Sequence, residues 1–208
     1  MVTDKDPAPA QQGRDNLTTV GLHCSPTFRL ITVGKVVERV CIYIDGSNLY
    51  HSLKEECGQA RLDFAKFISW LVGSRHLVRT YYHIAAIGQD ATQAKKHQRF
   101  LASLKHIPYL EVKLGRLEPR GSTYVEKGID VAISVDMLSM AVKNIYDTAI
   151  LVSCDGDYVK AIDAVKDTGK HVEVACFQRA YHLRQHADKI IHLDKTSLAG
   201  LWLASTPQ

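Results

Sequence analysis

No apolar run in the 208-residue chain is long enough to cross a membrane as a helix, which takes roughly 20 residues. The most apolar stretches, Thr148 to Val152 and Val172 to Phe177, fall far short of that. The N-terminus lacks a basic segment followed by an apolar core, so no secretory signal is visible and a cytoplasmic location is the default expectation. Five cysteines, Cys24, Cys41, Cys57, Cys154 and Cys176, form no CxxC pair and no zinc-like spacing. Their odd number argues against a disulfide framework, so reduced thiols are expected. Neither GxGxxG nor GxxxxGKS/T occurs, which argues against a dinucleotide site or a P-loop. No Ser or Cys stands in a recognisable triad context, so acyl transfer through a covalent intermediate is not expected. There is no internal repeat.

What is present suits one globular domain with a short appendage: 46% of residues are apolar, enough to bury a core. A net charge of +4 and a pI near 8.7 permit contact with a polyanion without demanding it. Residues 1 to about 37 carry Pro7, Pro9, Gly13, Gly21, Pro26 and Gly34 with no sustained period, and read as a flexible extension in which Thr27 to Val33 is the one strand-like run.

From Val40 the pattern becomes short β-rich runs alternating with longer helical patterns, the signature of βαβ units around a mostly parallel sheet buried on both faces. Strands are predicted over Val40 to Ile44, Val78 to Ala86, Glu111 to Leu117, Thr123 to Glu126, Thr148 to Cys154, His171 to Phe177 and Lys189 to Leu193. Helices are predicted over Ser47 to Cys57, Asp63 to Val72 with Asp63 as N-cap, Thr92 to His106, Ile129 to about Asn144, Tyr158 to Asp167 and Ala180 to Ala187. Residues 195 to 208 read as a C-terminal tail.

Acidic residues fall at three stations: Asp45 in Ile44-Asp45-Gly46-Ser47-Asn48, Asp130 in Lys127-Gly128-Ile129-Asp130, and Asp155 with Asp157 in Ser153-Cys154-Asp155-Gly156-Asp157. Two of the three follow the C-terminal ends of predicted strands, where open α/β sheets bind their ligands, and Asp130 opens a helix whose first turn can face the same crevice. Taken singly, such Asp residues are ordinary turn and cap residues. Gathered together they repel one another unless a cation compensates, and hard oxygen ligands favour Mg²⁺ or Mn²⁺. Such a cation activates water and stabilises in-line displacement at phosphorus, so phosphodiester hydrolysis is the reaction class this pattern implies.

The same residues carry a family resemblance. Tyr43-Ile44-Asp45-Gly46-Ser47-Asn48-Leu49-Tyr50 is followed by Arg99-Phe100-Leu101 and by Val112-Lys113-Leu114-Gly115-Arg116-Leu117. Then come Tyr124-Val125-Glu126-Lys127-Gly128-Ile129-Asp130-Val131, Asp136-Met137-Leu138, and Asp147-Thr148-Ala149-Ile150-Leu151-Val152-Ser153 through Asp155-Gly156-Asp157-Tyr158. In order and spacing these look like the LabA-like NYN proteins, a branch of the PIN-like nucleases, over about residues 38 to 194. The resemblance implies a three-layer αβα PIN-like fold and metal-dependent ribonuclease activity. It makes Asp45, Asp130, Asp155 and Asp157 the metal ligands or water activators, with Asn48 positioning Asp45 or the scissile phosphate. Asp136 also matches, but six helical residues turn about 600°, so it points away from Asp130 and is expected to support the site from behind, as is Ser153 through its hydroxyl. Cys154 stands where relatives carry Gly; if that position needs a positive φ, Cys strains it by roughly 1 kcal/mol.

Arg120 and Lys127 are the expected RNA contacts, because their segment leads into Asp130, while Lys95, Lys96, Arg99 and Arg116 are weaker candidates. Tyr50 and Tyr124 could stack bases, although packing is their commoner use. His182 and His186 share a helix face with no third zinc ligand nearby. The expected partner is RNA, single-stranded, and because PIN-like domains often pair a homodimer is open. Two alternatives stand beside nuclease action: a non-catalytic RNA-binding or regulatory protein, and an NADH-dependent hydroxylase of a succinoylpyridine-type aromatic, since some LabA-like relatives are known as such.

Overall fold

A computed structural model describes residues 37–85, 91–120 and 123–204, with the backbone alone for 91–93, 116–120 and 123–126. The extension 1–36, including the strand-like Thr27 to Val33, lies outside the described residues. In chain order the elements are β1 (Arg39–Asp45), α1 (Gly46–Cys57), α2 (Phe64–Val72), β2 (His76–Ala85), α3 (Ala91–Leu104), β3 (Leu110–Arg120) and β4 (Thr123–Lys127). They continue with α4 (Ile129–Val142), β5 (Thr148–Val152), α5 (Val159–Asp167), β6 (His171–Cys176), α6 (Tyr181–His186) and β7 (Lys189–His192). The strands form one sheet in the order β4-β3-β2-β1-β5-β6-β7. All neighbours pair parallel except β3 and β4, which form an antiparallel hairpin at the edge.

Helices cover both faces, which is why the central strands read as unbroken apolar runs: β5 is buried at every residue and β1 from Val40 onward. On one face Leu49 and Leu53 of α1, Phe64, Phe67 and Leu71 of α2, and Leu104 of α3 pack on Ile42, Ile44, Ile150 and Val152. On the other, Ile133 and Met137 of α4, Ile162 and Val165 of α5, and Leu183 of α6 pack on Tyr43, Leu151, Val172 and Val174. The fold is therefore the expected three-layer α/β/α arrangement with a mostly parallel sheet.

Two boundaries differ from the sequence reading in ways that shape the site. The strand expected to run to Cys154 ends at Val152, because the Cys154 N–H turns to the Asn48 side chain and the Asp155 N–H to the Ser153 hydroxyl instead of continuing a ladder. The helix expected from Tyr158 begins at Val159, after a 3-10 turn over Gly156–Tyr158. Residues 195–204, the described part of the expected tail, pack against the first helical layer: Leu198 is fully buried. The Asp63 N–H there donates to the Leu201 carbonyl (2.8 Å) and the Leu203 N–H to the Arg61 carbonyl (2.9 Å). Among the described residues no helix is long and apolar enough to cross a membrane.

Chain order also determines where a crevice can open. The chain leaves β1 outward through β2 to the β3–β4 edge, then returns across α4 to place β5 on the other side of β1. The C-terminal ends of β1 and β5 thus flank the point where strand order reverses, the place where such sheets bind ligands.

Candidate active site

A cleft of about 500 Å³ opens at that point, lined by Asp45, Ser47, Asn48, His51, Gly128, Ile129, Asp130 and Asp155. Asp45 ends β1 and caps α1: its Oδ1 accepts the Asn48 N–H at 3.0 Å. Its Oδ2 accepts the Tyr158 hydroxyl at 2.9 Å, within the buried layer beneath the cleft. The following residue must be small, since a Cβ on Gly46 would lie 2.7 Å from the Tyr82 ring. Burial pushes the Tyr158 phenol far above its ordinary range, and the neighbouring Asp45 charge pushes it further, so it stays protonated and remains a donor to Asp45.

Asn48 joins two chain segments. Its backbone holds Asp45, and its side-chain Oδ1 accepts the Cys154 N–H at 2.9 Å, fixing the loop after β5 to α1. In that loop Ser153 is buried and its hydroxyl accepts the Asp155 N–H (3.1 Å), while Asp155 Oδ1 accepts the Asp157 N–H (3.0 Å). Asp155 therefore lines the cleft, whereas Asp157 sits exposed on the 3-10 turn and does not line it. Cys154 is not among the residues with positive φ, so the strain expected of Cys in place of Gly does not arise. Its Sγ instead accepts the Phe177 N–H at 3.3 Å, and burial raises its thiol pKa.

Asp130 comes from the second station, in the first turn of α4, exposed and facing the same cleft. The turn that delivers it needs Gly128, whose φ of 76° lies in the left-handed region. Lys127 is exposed and does not line the cleft; Arg120 closes the β3–β4 hairpin opposite Thr123, and its side chain, with those of Arg116 and Tyr124, lies outside the described residues. Lys95, Lys96 and Arg99 are exposed on α3, and Tyr50 is half exposed beside His51. His186 Nδ1 lies 2.7 Å from Asp163 Oδ1.

Asp136 points away from the cleft, toward β2 and β3. Lys113 Nζ donates to its Oδ2 at 2.7 Å, and the buried His83 Nε2 stands 3.4 Å from the same oxygen without the alignment of a hydrogen bond. Burial pushes the His83 imidazole down to about 4, with Lys113 adding to the shift and Asp136 opposing it, so the ring is neutral at pH 7.

A model of the NYN domain matches residues 39–194, three quarters of the chain. The chain belongs to the NYN domain family. A solved structure of a Vibrio parahaemolyticus protein of unknown function superposes with a TM-score of 0.66 at 24% identity, covering 80% of this chain and 97% of that one, a likeness of fold. A UDP-glucosyltransferase from Polygonum tinctorium overlaps at a TM-score of 0.33 and 10% identity, covering 67% of this chain and 29% of its own, too slight a likeness to indicate a shared fold. No curated protein matches.

NYN domains group with the PIN-like nucleases, for which the resemblance above implies a divalent cation. Among the described residues no three carboxylate, His or Cys side chains converge into a ready-made ligand shell. The donor set nevertheless fits a hard cation. Asp45, Asp130 and Asp155 supply only oxygen, no Lys or Arg among the described residues lines the cleft, and Mg²⁺ usually keeps several waters while binding one or two carboxylates plus substrate phosphate. Sequence reasoning misses two residues of this NYN site. Tyr158 reads in the sequence as the start of a helix, and nothing local shows that its hydroxyl reaches back to β1. His51 has a signal, since its spacing from Asn48 puts both on one face of α1.

Proposed function

We propose that this NYN domain is a Mg²⁺- or Mn²⁺-dependent ribonuclease of the LabA-like branch, acting on single-stranded RNA in the cytoplasm. The observation that carries the reading is that Asp45, Asp130 and Asp155, drawn from three separate chain segments, line one cleft at the switch point of the sheet. The LabA-like branch is favoured by the order of motifs from Tyr43-Ile44-Asp45 to Asp155-Gly156-Asp157. A bound Mg²⁺ or Mn²⁺ supplies an acidified water and neutralises charge developing on the phosphoryl oxygens.

The protein's own part is positioning. Asp45 is held from both oxygens, by the Asn48 N–H and the Tyr158 hydroxyl, so it presents a fixed carboxylate. Asp155 is oriented through its Oδ1 by the turn it caps. Asp130, exposed at the helix N-terminus, is the carboxylate placed to take the proton of the attacking water as the new O–P bond forms and the ester P–O bond breaks. Asp157, exposed two residues beyond Asp155, adds negative charge to this loop without lining the cleft.

The reading is tested by incubating labelled single-stranded RNA with the protein in Mn²⁺, in Mg²⁺ and in EDTA. Cleavage in either metal and none in EDTA is expected. Intact RNA under every metal condition would overturn the nuclease reading and leave family and fold untouched.

A further inference from the structure

A second cavity, of about 310 Å³, adjoins the carboxylate cleft, and Ile129 lines both. Its walls include Gly115, Ala132 and Val135, and its polar residues are His83, Lys113 and Asp136. Strand register explains the placement. Asp45, His83 and Lys113 are direct neighbours across β1, β2 and β3, so they form one row on one face of the sheet. With strands about 4.8 Å apart, His83 lies one step and Lys113 two steps, roughly 10 Å, from Asp45.

Two features of this row ask for a ligand. His83 is 1% exposed, and its Nε2 is buried without a hydrogen bond, an uncommon state for a polar atom in a folded protein. Lys113 and Asp136 present an ammonium and a carboxylate side by side, 2.7 Å apart, in the lining of a largely apolar pocket. An adjacent donor and acceptor match the edge of guanine, where O6 accepts and N1–H and N2–H donate; adenine offers the reverse order and would meet the carboxylate with an acceptor. The cavity has the size and apolar lining of a small-ligand site, and Val135 and Leu114, both more than half exposed, offer an apolar surface for a base.

We propose that this second cavity is a guanine pocket that selects the base next to the scissile phosphate, with Asp136 accepting from N1–H and N2–H and Lys113 donating to O6. The inference rests on the ribonuclease reading for its role in cutting RNA, while the pocket itself does not depend on metal or on cleavage.

The test therefore has two arms. In EDTA, the protein is titrated with guanosine and, separately, adenosine, neutral nucleosides that avoid repulsion by the carboxylate cleft, and binding is read from NMR shifts of nucleoside and protein. Guanosine is expected to bind about tenfold or more tightly than adenosine. Asp136→Asn is expected to remove the preference, and Asp45→Asn to leave it unchanged. Lys113→Gln, at a less buried position, serves if Asp136→Asn fails to fold and is expected to weaken guanosine by a similar factor. Equal binding of the two nucleosides, no binding of either, or a preference that survives both pocket variants would overturn the proposal. In the second arm the cut sites on RNA of mixed sequence are mapped. Cutting without regard to guanine overturns the pocket and keeps the nuclease; guanosine binding without any cutting keeps the pocket and removes the nuclease.

Discussion

The two edges of the sheet carry acids in opposite circumstances. At the edge where the strands begin, every buried or half-buried carboxylate of the described residues has a basic partner. Arg39 Nη2 meets Asp147 Oδ1 at 2.7 Å, and Glu173, 3% exposed, is met by Arg75 Nη1 at 3.0 Å and by Lys189 Nζ at 3.0 Å. Glu38 accepts from the Thr148 hydroxyl and lies 3.7 Å from Arg75. At the edge where the strands end, Asp45, Asp130 and Asp155 line one cleft to which, among the described residues, no Lys or Arg contributes. The first arrangement closes the structure electrostatically; the second leaves negative charge gathered at a cleft, which under the proposed function would be met by a cation. Charge at one edge is paired within the fold, and at the other it is left facing a cleft.

The contrast is most exposed to test at Asp45. Asp45→Asn keeps an acceptor oxygen for the Asn48 N–H while its Nδ2 faces the Tyr158 oxygen as a donor, so one buried hydrogen bond is rearranged and the unfolding midpoint should fall by no more than about 4 °C. Metal-dependent cleavage should fall on the order of a thousandfold, because several kcal/mol of transition-state stabilisation depend on the carboxylate charge. Measuring kcat on labelled RNA beside a thermal melt separates the two. Full activity in the variant would remove Asp45 from the chemistry, and a large loss of stability would place it with the acids of the opposite edge.

At that opposite edge the largest effect should come from Arg75→Met. Glu173 would be left with Lys189 alone in a site that is 3% exposed, and breaking a buried pair costs about 3 kcal/mol. A urea unfolding curve read by circular dichroism checks this. A loss near zero would mean that Lys189 and water carry the charge unaided. Cleavage should be unaffected when measured well below the unfolding midpoint.

How far the sequence announces this contrast depends on whether the signal is local. Strand and helix order, the parallel sheet and the approach of Asp45, Asp130 and Asp155 to one edge all follow from apolar periodicity and chain order, which are local properties. The short 3-10 turn that leaves Asp157 exposed and out of the cleft lining is not legible, because a one-residue change in where a helix begins is set by the Asp155 cap. Nor is the row Asp45, His83, Lys113, since parallel neighbours lie tens of residues apart and their register leaves no mark in either segment. Asp136 shows the middle case. Its rotation away from Asp130 follows from helix geometry, but its partners on β2 and β3 do not.

His83 extends the contrast to pH. Its folded-state value of about 4 lies below the ordinary 6.5, so the unfolded chain binds the proton more readily. Its neutral burial carries no penalty above pH 6.5, and stability should fall as pH drops from 6.5 toward 4, by about 2 kcal/mol at pH 5. His83→Gln should flatten this part of the stability profile. An unchanged slope in the variant would show that the proton uptake belongs to other groups.

The smallest effect belongs to Arg39 and Asp147, which form the shortest ion pair at the edge where the strands begin, with both side chains more than a third exposed, at 37% and 39%. The Arg39 hydrogen bond holds the Asp147 carboxyl down at about 2, below its ordinary 3.8. Whatever this pair contributes is therefore present above pH 3.8 and lost as pH falls toward 2. In water-facing surroundings that contribution is screened, so Arg39→Met should lower the midpoint by no more than about 2 °C at low salt, and less in 1 M salt. Placed beside Arg75→Met, it sets an exposed pair against a buried one, because both variants remove an arginine from a carboxylate at the same edge, Glu173 still keeping Lys189. A loss for Arg39 as large as that for Arg75 would mean that pairing, and not burial, sets the value of charge at this edge.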